Sequence, residues 1–224
     1  MQLEKITKSR QNEEKRRYED ACGLAHAMEL LGERWAMLVL RELAYGPRRF
    51  SELKADLKGI SANVLAQRLT ELERRSLVRK TKLAPPASIQ VYEATEWGLE
   101  VVPLIASLGR WAARSPWHNP TLQMSHVSVI MSLQTLLSPE LAGNLDARIG
   151  FQFGDVSYVT RLHDGRLDVE RGPVQDCDVV FSGAPSDMAA VIHGGAPLEM
   201  IDVEGDMELA KRFRTLFPLP PKIG

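Results

Sequence analysis

Between residues 20 and 45 apolar side chains recur at helical spacing, with a break at Gly32 and a stop at Gly46-Pro47. A period near 3.6 residues buries one helix face and Gly or Pro ends it, so this stretch predicts two helices joined by a tight turn. FSELKADLKG (50–59) predicts a third, short helix with Ser51 as its N-cap, Glu52 and Asp56 near its start, and Gly59 as its stop. Ser61 is placed to cap a fourth helix running to about Ser76, on which Leu65, Leu69 and Leu72 form an apolar stripe. The period then falls to two. LVRKTKLA and SIQVYEAT predict a hairpin with an extended tip at Pro85-Pro86. Thr95 caps a long amphipathic helix, EWGLEVVPLIASLGRWAARS, with Pro103 as a candidate kink.

A helix-turn-helix followed by a β-hairpin is a winged helix, and the fourth helix would be its recognition helix. SPWHNPTLQMS then has the proline content and lack of periodicity of an interdomain linker. Beyond it come an apolar helix (VSVIMSLQTLLS), four strand-like runs (DARIGFQFG, VSYVTRLH, RLDVERG, CDVVFSG) with a turn at His163-Asp164-Gly165, and two closing helices. The fold class expected is α+β. A mainly α winged-helix DNA-binding domain is expected over residues 1–117, a linker over 118–126, and an α+β domain over 127–224.

Net charge changes this picture. The whole chain is formally −1, yet residues 1–118 hold 20 Lys and Arg against 15 Asp and Glu (+5), while residues 119–224 hold 8 against 14 (−6). A basic half suits a polyanion and an acidic half does not. With Leu65 at the centre of the buried stripe, Asn63, Gln67, Thr70 and Arg74 fall opposite it at 100° per residue. Asn and Gln can pair with both major-groove atoms of adenine, which makes Asn63 and Gln67 the base-reading candidates, with Thr70 and Ser61 beside them. Arg79, Lys80 and Lys82 on the hairpin, with Arg48, Arg49 and Ser51 at the third helix, would follow the phosphates. Arg68 lies at the flank of the stripe, open to either a phosphate or an acidic neighbour.

Other chemistry is thinly represented. The two cysteines, Cys22 and Cys177, have no CxxC spacing, and the five histidines have no ligand spacing, so neither metal nor cofactor is expected. The chain lacks GxSxG, HExxH, GxGxxG and GxxxxGK[ST], and no catalytic activity is expected. Asp155, Asp164, Asp176 and Asp178 read as turn and strand-end residues. The charged start MQLEKITKSRQNEEKRRYED has no apolar segment of a signal peptide and no run of 18 apolar residues follows. A cytoplasmic protein without membrane contact is therefore expected.

The residues also carry a resemblance. The cysteine heading the first helix, the G-E-R-W turn, R-F-S-E-L, and I-S-x-x-x-L-x-x-R-L-x-x-L-E are similar to those of HxlR-type winged-helix regulators over about residues 18–115. That resemblance implies a homodimer on an inverted-repeat operator, most often a repressor. Its contacts would come from the arm before Tyr18 and the helix bearing Val101, Leu104, Ile105, Leu108 and Trp111. In some such regulators the cysteine at the position of Cys22 responds to electrophiles or oxidants, an alternative in which the second domain is structural. CDVVFSGAPSDMAAVIHGG and VEGDMELAKRFRTLF resemble a sterol-carrier-protein-type fold over about residues 127–217. This implies a cavity for an apolar or aromatic effector lined by Phe151, Phe153, Tyr158, Met188, Ile192, Met200, Phe213 and Phe217. A lipid carrier or an enzyme is the alternative from another class.

Overall fold

The computed structural model describes residues 18–83 and 88–223. The arm before Tyr18 and the Pro85-Pro86 tip lie outside the described residues. Helices α1 (Gly23–Leu31), α2 (Ala36–Glu42), α3 (Phe50–Asp56) and α4 (Ala62–Arg74) come first, then strands β1 (Val78–Lys82) and β2 (Gln90–Ala94). Ser61 Oγ accepts the Val64 N–H at 3.2 Å and so caps α4 as its position suggested. Ser51 does not cap α3. The N-cap is Arg49 and the helix starts at Phe50, two residues earlier than a Ser51 cap implies, and the Glu52 carboxylate reaches back to accept the Arg49 backbone N–H at 2.7 Å. Gly59, at φ +86°, reverses the chain between α3 and α4 in a region where a side chain would be strained.

The long helix expected after the wing is two. Helix α5 (Glu96–Glu100) yields at Val101 to α6 (Val102–Ala112), and Pro103 sits in the first turn of α6, where its missing N–H costs nothing. Thr95 ties this segment to the wing: its hydroxyl donates to Ser76 O at 2.7 Å and accepts from the Gly98 N–H at 3.0 Å. A Cβ on Gly98 would lie 2.0 Å from Leu77 O, so only glycine permits that approach.

The second half starts with α7 (His126–Leu136), capped by Ser125, and the short α8 (Pro139–Ala142). Strands β3 (Ala147–Phe153), β4 (Val156–His163), β5 (Arg166–Arg171), β6 (Val179–Ser182) and β7 (Asp202–Gly205) form one sheet in the order β5-β4-β3-β6-β7. Only β3 and β6 pair in parallel. Strand β7 and α8 are too short to have left a period in the sequence. Asp164 and Gly165, both at positive φ, make the β4–β5 turn. Helices α9 (Pro185–His193) and α10 (Met207–Phe213) complete the layer packed on the sheet.

Two cores result. Val39, Leu40, Leu53, Leu65, Leu69 and Leu72 centre the first, and Phe151, Phe181, Phe213, Phe217, Ile149 and Val179 the second. Helix α7 serves both: Val129, Ile130 and Leu133 enter the second core while Met131 enters the first. A helix apolar all round is buried on both sides, which is why this one reads without an amphipathic face. The end of the chain returns to α6, where Lys222 Nζ donates to Ala113 O (3.0 Å), Ser115 O (2.9 Å) and His118 O (3.3 Å). A cation there complements the carbonyl end of the helix.

Phe213 is fully buried between Phe151, Phe181 and Phe217, with ring centroids 4.8–6.0 Å away. Phe213→Ala should destabilise the protein by about 3–5 kcal/mol, read by chemical denaturation, because the surrounding rings cannot collapse into the space left.

Candidate nucleic-acid interface

Helix α4 presents two different faces. Leu65, Leu69 and Leu72 are buried, and Ser61, Asn63, Gln67 and Thr70 are exposed. Asn63 is the second residue of the helix, so it stands at the end that meets base edges when a recognition helix enters the groove. Gln67 Nε2 bonds to Glu71 Oε1 at 3.0 Å, one turn on, and the Thr70 hydroxyl donates to Ala66 O at 2.9 Å. Both bonds lie within the helix at its surface, and water or a base edge can replace the first.

The wing supplies cations. Arg79, Lys80 and Lys82 are exposed on β1. Arg79 Nε pairs with Glu93 Oε1 across the hairpin at 2.7 Å, and Lys80 Nζ lies over the Tyr92 ring, 5.9 Å from its centroid. Arg49 and Ser51 are exposed at the start of α3. An exposed polar helix face and exposed cations on the wing strand are the kinds of group that meet base edges and phosphates when a winged helix binds a duplex.

Two expected contacts are corrected. Arg48 is 3% exposed and Arg68 5%, so neither lies on the surface assigned to phosphate. Arg68 pairs with Glu71 and with Glu33 Oε2 at 3.4 Å, which settles its flanking position in favour of the acidic neighbours. Arg48 pairs with Asp56, and stands 3.5 Å from Glu52 Oε2 and 3.8 Å from Glu42 Oε2. Its run with Arg49 before a helix concealed that alternate residues of an extended segment face opposite sides.

The periodicity gave no account of what surrounds Arg48. Glu42, 1% exposed, accepts Arg41 Nη2 at 2.6 Å and the Ser125 hydroxyl at 2.7 Å. His126, at the head of α7, lies with Nε2 3.4 Å from Asp56 Oδ2 and Nδ1 2.7 Å from the Tyr158 hydroxyl. Burial opposes ionisation of Asp56, but the side chains of His126 and Arg48 together outweigh it and hold the carboxyl below its ordinary range. Burial also pushes the hydroxyls of Tyr45 and Tyr158 above the ordinary phenol value, keeping both neutral donors. One signal was present in the sequence. Glu42 stands three residues after Val39 and Asp56 three after Leu53, each a charge close to a buried helical position.

Of the eight residues expected to line an apolar cavity, seven are buried and packed on one another, as in the 5.6 Å stacking of Phe151 on Phe181. Met200 is 47% exposed, because the 3₁₀ turn Leu198–Met200 directs it to solvent, and it stands apart from that core. An open space of about 430 Å³ lies instead at the junction of the halves, against Ala44, Leu99, Val102, Pro103, Met131 and Gln134. Cys22 is exposed at the N-cap position of α1. Ser132 Oγ meets His193 Nε2 at 2.7 Å, but its hydroxyl donates to Val129 O at 2.6 Å. With that proton committed, the imidazole must donate to the serine, and burial pushes the histidine pKa down. Among the described residues no group of three or more His, Cys, Asp or Glu is placed to hold a metal, and no helix is long and apolar enough to cross a membrane.

Residues 30–119 match the model of the HxlR-like helix-turn-helix. YvaP of Bacillus subtilis, described as an uncharacterised HTH-type transcriptional regulator, is 32% identical over 96 residues, covering 42% of this chain and 86% of YvaP. The chain belongs to the HxlR-like helix-turn-helix family. YkvN of the same organism, also an HTH-type regulator, is 38% identical over 92 residues, 41% of this chain and 77% of YkvN. The HTH-type regulator YodB, again of B. subtilis, is 35% identical over 86 residues, 38% of this chain and 77% of YodB. The reduced form of YodB, as solved, covers 44% of this chain and 97% of that one at a TM-score of 0.39 and 31% identity. This HxlR-type transcriptional regulator therefore carries, beyond residue 119, a second half that the family match does not span.

Because the Asp56 carboxyl is held below its ordinary value in the folded protein, it contributes stability that is present above the ordinary carboxylate range and lost as pH falls through the folded value. Denaturation midpoints followed from neutral to acid pH should fall, and Asp56→Asn should flatten that fall while lowering stability at neutrality.

Proposed function

We propose that the protein is a homodimeric repressor that reads an inverted-repeat operator through α4 and grips phosphates with its wings. The observation that supports this reading best is the exposed face of α4, with Asn63 and Gln67 one turn apart, next to exposed Arg79, Lys80 and Lys82. A bound dimer of this kind represses by occupying its operator, and it needs no catalytic step. Dimerisation is assigned to α6, where Leu104 (60%), Leu108 (47%) and Trp111 (73%) are exposed along one apolar face while Val101 and Ile105 turn into the core. An exposed apolar stripe of this size is what a partner helix covers.

The second half is read as a sterol-carrier-protein-like effector domain. A five-stranded sheet with helices packed around an aromatic core supports that reading. An apolar effector would enter either by parting the rings around Phe151 and Phe213 or at the junction space beside α6. It gates DNA binding only by favouring one of two conformations. A second reading, thiol sensing, is favoured by Cys22, whose exposure at a helix start leaves it open to an electrophile.

Selection of duplexes from a random-sequence pool tests the DNA reading. Asn63→Ala or Gln67→Ala should relax base preference, each at a cost of about 1–3 kcal/mol on the preferred site, whereas Lys80→Ala should weaken all sequences alike and lower the salt slope by about 1. Identical behaviour of the three variants would sink the placement of α4 in the groove. Native mass spectrometry of the full chain should show a dimer, with any apolar passenger revealed by its mass. Leu104→Asp/Trp111→Asp should yield monomer, and a dimer surviving both changes would exclude α6 as the interface.

A further inference from the structure

Arg48 joins several elements at once. Its backbone pairs with Tyr92 in both directions at 2.8 Å, adding a residue to the wing sheet, while its side chain goes inward to Asp56, Glu52 and Glu42. Wing, α3 and α2 therefore meet at one residue, the wing at its backbone and the two helices at its buried guanidinium. Asp56 closes α3, five residues before the cap of α4, so its position helps set the geometry of the helix-turn-helix.

The second half reaches into this cluster. His126 approaches the same Asp56 oxygen that Arg48 engages, and Ser125 donates to Glu42. An ionised Asp56 can only accept, so the imidazole nitrogen facing it carries the hydrogen, while Nδ1 shares a hydrogen bond with the Tyr158 hydroxyl on β4 at 2.7 Å. The segment joining α2 to α3 is held from the same side. Tyr45 donates to Gln134 Oε1 at 2.6 Å and packs edge-on to Tyr158 at 5.8 Å, while Arg171 donates to Pro47 O at 3.3 Å. The family match, over residues 30–119, includes none of His126, Gln134, Tyr158 and Arg171.

We propose that His126 is a positioning residue for DNA reading: by bridging Tyr158 and Asp56 it lets the C-terminal half fix the angle between wing and recognition helix. This rests on the DNA-binding reading given above. Asp56 has two buried donors, and losing one leaves Arg48 to redistribute among three carboxylates, two of which it meets only at ion-pair distance. Networks of this kind respond as units, so a change at His126 is felt at the wing as well as at α3. A movement of β4 that drew Tyr158 away would reach the DNA surface by the same route, and by linkage DNA would act back on the C-terminal half.

Three variants of the full chain test this. His126→Phe keeps a ring and loses both contacts, His126→Gln keeps a donor and an acceptor, and Tyr158→Phe removes one hydroxyl. Hydrogen exchange without DNA should show faster exchange in α3 and residues 45–48 for His126→Phe, with the β3 amides unchanged and near wild-type rates for His126→Gln. Affinity is measured on a duplex that the wild type selects from a random pool, at a temperature where all variants are fully folded by circular dichroism. It should fall about tenfold for His126→Phe, a difference of about 1.4 kcal/mol, and stay within about twofold for His126→Gln. The salt slope should not change, since no phosphate contact is removed. If His126→Phe fails to fold, Tyr158→Phe should give the same pattern at smaller amplitude. Unchanged affinity and exchange in a folded His126→Phe, or no rescue by His126→Gln, overturns the proposal. A wild type that selects no duplex defeats the DNA reading, and the exchange data then still decide whether His126 positions α3.

Discussion

An arginine that is 3% exposed keeps its charge, and a buried charge must be matched by its neighbours. Around Arg48 that requirement collects Asp56, Glu52 and Glu42 from two helices, and through Asp56 and Glu42 it draws in His126 and Ser125 from the second half. Replacing either partner with an apolar group would strand the other in a medium where unpaired charge costs several kcal/mol. The winged helix and the α+β half are therefore joined by electrostatic necessity as well as by apolar contact.

Helix α7 is the mechanical counterpart of that cluster. Its apolar surface enters both cores, so it cannot move relative to one half without opening space in the other. Its first residue is His126, its last turn accepts Arg110 of α6 at Thr135 O (2.8 Å), and Gln134 takes the Tyr45 hydroxyl. The chain end, through Lys222, holds the far end of α6. The C-terminal end of the helix assigned to dimerisation is thus held twice, at Arg110 and at Ala113, by parts of the molecule that the family match does not include.

The surface proposed to face DNA is simple. Asn63, Gln67 and the wing lysines are exposed, with Gln67 bonded to Glu71 within the helix and Lys80 over the Tyr92 ring, and a surface that binds DNA must exchange such contacts and its water for base edges and phosphates. In the proposed reading specificity depends on how that helix is aimed as well as on those side chains, and the buried groups around Asp56 lie behind it.

How far these features were legible in the sequence follows from the range of the forces involved. Helical period, caps and turn residues are local, so the order of helices, the Ser61 and Thr95 caps, the hairpin and the outward placement of Asn63, Gln67 and Thr70 could be read directly. Local signals failed where a cap came from a side chain three residues on, as with Glu52 in place of Ser51, and where an element was too short to show a period, as with β7. Only tertiary structure decided that Arg48 and Arg68 point inward, that Met200 points outward, and that His126 meets Asp56 across 70 residues of chain. Charge carries no directional period, and its partner is chosen by which surfaces the apolar residues bring together.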